Sequence, residues 1–178
     1  ICTSRSFGNL VTDYDELQAS VASFAASCAN KLRGQHSLAS AVTVFVSSNR
    51  FREDLPQYSN GQTRILLLPT SDTIEITQAA LSVLKEIYQE GISYKKTGVI
   101  LGDITDAFYI QQNLFDEVKN RPERMQLMKS IDELNHRFGL RKIHLAVEGE
   151  EKQDWHAKSE FRSGNYLSDL KEILTIQI

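Results

Sequence analysis

The residues of this chain best equipped for chemistry are cations and hydroxyls on extended segments, and no catalytic set accompanies them. The four histidines, His36, His136, His144 and His156, are scattered over a helix end, a helix, a strand and a loop, with no ligand spacing. No Gly-rich phosphate loop, H-E-x-x-H or G-x-S-x-G occurs. Carboxylates gather at helix starts and outer faces, where capping and solvation account for them. The basic residues Arg5, Arg50, Arg52, Arg64, Lys95 and Lys96 fall on or beside strands, faced only by Glu53, Asp54 and Asp103. Arg, Lys, Ser and Thr on a sheet can hold a phosphate backbone by charge and hydrogen bonds without reading bases. They can equally be an ordinary solvated sheet face, and pattern alone does not choose.

The elements that must position these residues alternate in period. After a short apolar stretch around Phe7, residues Tyr14 to Arg33 place Leu17, Val21, Phe24, Cys28 and Leu32 at steps of three or four, which predicts a helix. Asp13 and Glu16 give it a capping-box start, and Gly34 is where a left-handed stop is expected. Val42, Val44 and Val46 then alternate with Thr43, Phe45 and Ser47, a strand with the valines on one face. Asn49 to Gln62, with Pro56 and Asn60-Gly61, reads as a polar connection to an antiparallel strand at Thr63 to Leu68. A second helix is predicted from Thr73 to Glu90, with an Asp72–Glu75 cap pair and a terminal Gly91, and a last strand from Tyr94 to Ile104. The order βαββαβ predicts an α+β fold, a four-stranded sheet with both helices on one face and the other face open.

Beyond Asp106 the period dissolves. Pro122 opens a further helix with Leu127, Met128, Ile131, Leu134 and Phe138 on one side, stopped by Gly139, and Ile143, Leu145 and Val147 alternate as a short strand. The region around Trp155 and Tyr166 is less readable. The expected division is a sheet domain over residues 1–105, a linker over 106–121 and a small mixed module over 122–178.

Composition sets the outer limits. Hydrophobic residues are 41% and prolines only three, enough to bury a core and unlike a disordered chain. Twenty basic against 23 acidic residues, net −3, exclude coating of nucleic acid by overall charge but leave a local basic face open. Up to Asp103 the acids belong mostly to helices and caps, so the sheet is expected to be the positive side. No apolar run reaches membrane-span length, and ICTSRSFG lacks the features of a signal peptide. Cys2 and Cys28 lie in unrelated contexts, which points to reduced thiols in the cytoplasm. The initial Ile1 reads as a cut from a longer protein.

Four stretches in order carry a family resemblance: T-S-R-S-F-G-N at Thr3 to Asn9, Y-K-K-T-G-V-I-L-G-D at Tyr94 to Asp103, Q-Q-N-L-F at Gln111 to Phe115 and L-N-H-R-F-G at Leu134 to Gly139. With the βαββαβ order they resemble, over nearly the whole chain, the C-terminal part of a Y-family translesion DNA polymerase of the UmuC-like kind found in bacterial DNA polymerase V. The resemblance implies a little finger domain that lays its sheet along template-primer DNA, acting in SOS mutagenesis. Its phosphate contacts would be Arg5, Ser6, Thr63, Arg64, Lys95 and Lys96. It implies that the Mg2+-binding carboxylates of nucleotidyl transfer lie upstream of Ile1, so that this piece has no cofactor and no catalysis of its own.

In such polymerases a peptide like Gln111 to Phe115 binds the bacterial sliding clamp, with Gln111 and Asn113 polar and Leu114 and Phe115 as apolar anchors. Two anchors on a short exposed peptide can fill a partner's pocket. Gln112 stands where the usual pattern prefers leucine. The competing reading tucks Leu114 and Phe115 onto their own domain. A UmuD-type accessory dimer and a recombinase filament are further partners implied by the resemblance. The alternative function is a protein-interaction module with incidental DNA contact. A free-standing RNA or ligand domain lacks the aromatic pattern such a sheet needs.

Overall fold

The structure is a computed structural model that describes residues 1–108, 120–139, 141–149 and 163–164. Strand β1 is Cys2–Val11, helix α1 Tyr14–Gly34, β2 Ser37–Ser48, β3 Ser59–Thr70, α2 Thr73–Ile87, β4 Tyr94–Asp106 and α3 Arg121–Phe138. The predicted α+β class and βαββαβ order hold. The strands lie in the order β1-β4-β2-β3, with each neighbouring pair antiparallel. Each helix therefore crosses over one intervening strand, β4 under α1 and β2 under α2, giving two interlocked split βαβ units.

The core lies between the sheet and the two helices. Val42, Val44 and Val46 of β2 and Val99 and Leu101 of β4 pack under Leu17, Val21, Phe24, Cys28 and Leu32 of α1 and Ile76, Ala80, Val83, Leu84 and Ile87 of α2. These are the helical stripes the spacing predicts. Both helices start on an aspartate. Asp13 accepts the Asp15 amide at 2.6 Å, and Asp72 accepts the amides of Ile74 and Glu75 at 2.7 and 3.3 Å. Glu75 does not close a capping box: its carboxylate meets Thr70 and Arg121.

Several boundaries differ from the sequence expectation. The left-handed residue after α1 is His36 (φ 54°), not Gly34, which still belongs to the helix. The connection after β2 ends at Tyr58, and Asn60-Gly61 are strand residues paired with Val46 and Phe45. Helix α2 stops at Ile87, three residues before Glu90, while Gly91 takes the expected positive φ of 81°. Ile143 to Val147 form no strand but a turn leading into a 3-10 helix at Ala146–Glu148. Their alternation is broken because the backbone of Ile143 bonds to the Asn135 amide side chain instead of a neighbouring strand.

Helix α3 sits against the outer side of α1 and α2 through polar side chains. Arg33 forks onto Asp132 at 2.6 and 2.8 Å, Arg124 meets Asp72 at 2.7 Å, and Arg121 meets Glu75 at 3.2 Å. Of the apolar stripe predicted for this helix, Met128 is buried, whereas Leu127, Leu134 and Phe138 are exposed. Cys2 is exposed and Cys28 buried, and both are free thiols. Burial pushes the Cys28 thiol up despite its 3.2 Å hydrogen bond to Thr3. No helix among the described residues is long and apolar enough to cross a membrane.

Candidate nucleic-acid interface

Partners across an antiparallel ladder share a face, so the register lays out the open side of the sheet in rows. Ser6, Lys96, Ser47 and Ser59 form one row across all four strands. The next row is Ser4, Gly98, Phe45 and Gly61, and the third is Cys2, Ile100, Thr43 and Thr63. The face thus grades from hydroxyls and one ammonium beside the β2–β3 connection to apolar residues at the far end, where Ile65 and Leu67 are 66% and 63% exposed.

Small residues shape the middle row. A Cβ on Gly98 would stand 2.5 Å from both Phe45 Cζ and Ser4 Cβ, so only glycine lets the Phe45 ring lie over this strand. The Lys96 ammonium sits 5.8 Å from the ring centroid, within cation-π range. Thr43 and Thr63 join their hydroxyls at 2.7 Å across β2 and β3. Such a face offers a donor charge and a line of hydroxyls, which suits a phosphodiester chain and carries no base-reading pattern.

The structure divides the six predicted phosphate contacts. Ser6, Thr63 and Lys96 lie on the open face. Arg5 and Arg64 do not: they pair with Thr97 and Val42, whose side chains are buried on the helix side. Arg64 reaches down to Glu86 of α2. Arg5 stands at a cavity of about 390 Å3 bounded by α1, α3 and residues 141–148, together with Lys31, Asp132 and Arg141. Lys95 donates to the carbonyl of Phe7, where the β1–β4 register breaks and Phe7 turns into the core. The strand cations thus divide between the two faces of the sheet, because alternation puts neighbours such as Arg5 and Ser6 on opposite sides. Ser4, Thr43, Phe45, Ser47 and Ser59 were missed as site residues. The alternation of Thr43, Phe45 and Ser47 against the valines was the available signal.

Gln111, Asn113, Leu114 and Phe115 lie outside the described residues, as do Trp155 and Tyr166. Among the described residues no group of three or more His, Cys, Asp or Glu could hold a metal ion.

An α+β domain with helices on one side and a hydroxyl-lined face on the other is thus defined for residues 1–106. Residues 1–114 match the impB/mucB/samB family C-terminal domain, and the chain belongs to that family. Among its relatives, Protein UmuC of Salmonella typhimurium is 37% identical over 177 residues, 99% of this chain and 42% of that protein. Protein ImpB of Salmonella typhimurium is 38% identical over 173 residues, 97% of this chain and 40% of that protein. The chain therefore spans about two fifths of the length of these relatives. Residues 125–176 match a domain of unknown function. A solved complex of a beta-clamp processivity factor and the little finger domain of PolIV aligns at 11% identity and a TM-score of 0.42, over 67% of this chain and 97% of that one.

Proposed function

We propose that the sheet domain holds DNA by its backbone as the little finger of an error-prone translesion polymerase acting on damaged template in the cytoplasm. The observation that carries this reading is the row Ser6, Lys96, Ser47 and Ser59, which crosses all four strands of the open face. Hydroxyls and an ammonium at strand spacing present donors to successive phosphates, while Gly98 seats the Phe45 ring in the row beside them. In this reading nucleotidyl transfer and its Mg2+ belong to the part of the relatives' length that this chain does not span. The test is a titration of blunt duplex DNA over a salt series. Binding weakens with a log-log slope of about −0.9 per phosphate neutralised; absence of binding at low salt overturns the reading.

The second reading, a protein-docking module, is favoured by the apolar end of the same face, where Ile65 and Leu67 are exposed. Within the division 1–105, 106–121 and 122–178, the peptide Gln111 to Phe115 is the sliding-clamp tether in this reading. Capture by the clamp that survives Leu114→Ala with Phe115→Ala removes the peptide from it.

A further inference from the structure

The connection between β2 and β3, residues 49–58, carries Phe51, whose side chain is 93% exposed, the highest value for a large apolar residue among the described residues. It is not a slack loop. The Asn49 side chain accepts the Phe51 amide at 3.1 Å, and the Asn49 carbonyl accepts the Arg52 amide at 3.1 Å. The Gln57 amide group donates to the carbonyls of Asn49, Arg52 and Leu55 at 3.1, 2.8 and 3.1 Å, cross-bracing the turn from inside. Arg52 is tied to Asp54 by two 2.7 Å hydrogen bonds. A frame braced in this way holds an aromatic ring in water before any ligand arrives, which lowers the ordering cost of binding.

Position says which ligand suits the ring. The loop leaves β2 one residue beyond Ser47 and enters β3 at Ser59, two members of the row that contains Lys96. Phe51 therefore stands at the end of the polar half of the face, away from the apolar end at Ile65 and Leu67. Beside it Arg50 is exposed and makes no hydrogen bond or ion pair among the described residues, whereas Arg52 is already neutralised by Asp54. An exposed ring next to an uncommitted guanidinium, continuous with a line of phosphate donors, is the combination that binds single-stranded nucleic acid: a stacking platform plus a cation for the backbone.

We propose that Phe51 is a stacking subsite for an unpaired nucleobase at a junction between duplex and single strand, with Arg50 holding the adjoining phosphate. The inference rests on the DNA-holding reading of the sheet and adds a substrate preference to it. The experiment measures affinity of the whole chain for a labelled blunt duplex and for the same duplex with a short single-stranded extension. The wild type binds the extended DNA more tightly. Phe51→Ala removes about tenfold from the extended DNA, within the range one stacked base contributes, and leaves the blunt duplex unchanged; Phe51→Trp keeps the preference. Lys96→Glu weakens both DNAs. If Phe51→Ala affects both equally or neither, or if the wild type shows no preference, the subsite is overturned while duplex holding stands. If the wild type binds neither DNA, both readings fall. Loss of a protein partner in Phe51→Ala with DNA binding intact also overturns the subsite.

Discussion

The ring of Phe45 occupies the space that a side chain on Gly98 would need: a Cβ there would meet Phe45 Cζ at 2.5 Å and Cε1 at 2.6 Å. The same Cβ would meet Ser4 on the other flank at 2.5 Å, so neither strand can yield without the other. Gly98→Ala therefore lifts the ring and disturbs the β1–β4 register. The expected cost is about 1–3 kcal/mol, the range of overpacking in a filled site. Denaturant unfolding of Gly98→Ala, Phe45→Ala and the double variant checks it. The double variant loses less than the sum of the singles, because removing the ring relieves one of the two clashes and leaves only that with Ser4.

Lys96 and Arg64 are both strand cations, yet their faces differ, and the difference is measurable. Lys96 is exposed beside Phe45, whereas Arg64 pairs with Glu86 on the helix side. Lys96→Glu is expected to weaken duplex binding and to reduce the magnitude of the salt slope by about one. Arg64→Glu, placed next to Glu86, changes the slope less. A larger effect from Arg64 in the salt series would put the DNA on the edge of β3 instead of across the open face.

How much of the fold is legible in the sequence follows from the range of the signals. Leu17, Val21, Phe24, Cys28 and Leu32 declare α1 within a single helix, and the valines of β2 declare their face within a single strand. The face of Arg5 or Arg64 depends on which partner each strand acquires, and pairs such as Arg64 with Val42 join residues 22 apart in the chain. The role of Gly98 as the seat of Phe45 is not legible within its own strand, because the ring comes from another one. The left-handed turn at His36 after α1 depends on local backbone conformation, for which a glycine two residues earlier is a misleading cue. The alternation at Ile143, Leu145 and Val147 failed for want of a neighbouring strand: extended residues without a ladder find other partners, here Asn135.

The docking of α3 depends on a few long side chains, so it is open to single substitutions. Arg33 holds Asp132 through two nitrogens, and Asn30 donates to the same carboxylate at 2.9 Å. Asp132→Ala leaves the Arg33 guanidinium on Ser71 and Thr73 alone. The loss is expected to be about 1.5–3 kcal/mol in the stability of the docked helix, as for hydrogen bonds to charged groups. Amide hydrogen exchange then speeds up along α3 while the buried stripe of α1 keeps its protection. Equal acceleration in both helices would mean that α3 and the sheet domain unfold as one unit.

Glu148 gives the packing of the 3-10 helix a pH dependence. Its carboxyl is 3% exposed, and burial raises its pKa above the ordinary value of 4.5 more than the Leu145 amide, Arg141 and His144 lower it. A carboxyl with a raised folded pKa binds its proton more tightly in the folded state than in the unfolded chain. Its contribution is therefore favourable at low pH, and stability is lost as pH rises from about the unfolded value of 4.5 through the higher folded one. Glu148→Gln keeps an oxygen for the Leu145 amide, which the carboxylate accepts at 3.0 Å, and removes the titration. Thermal unfolding across this window shows a falling trend for the wild type that is flatter in Glu148→Gln. His144 is present in both proteins, so the difference between the two curves isolates the carboxyl. A wild-type stability that rises relative to Glu148→Gln over the window would mean that the Arg141 ion pair at 3.3 Å outweighs burial.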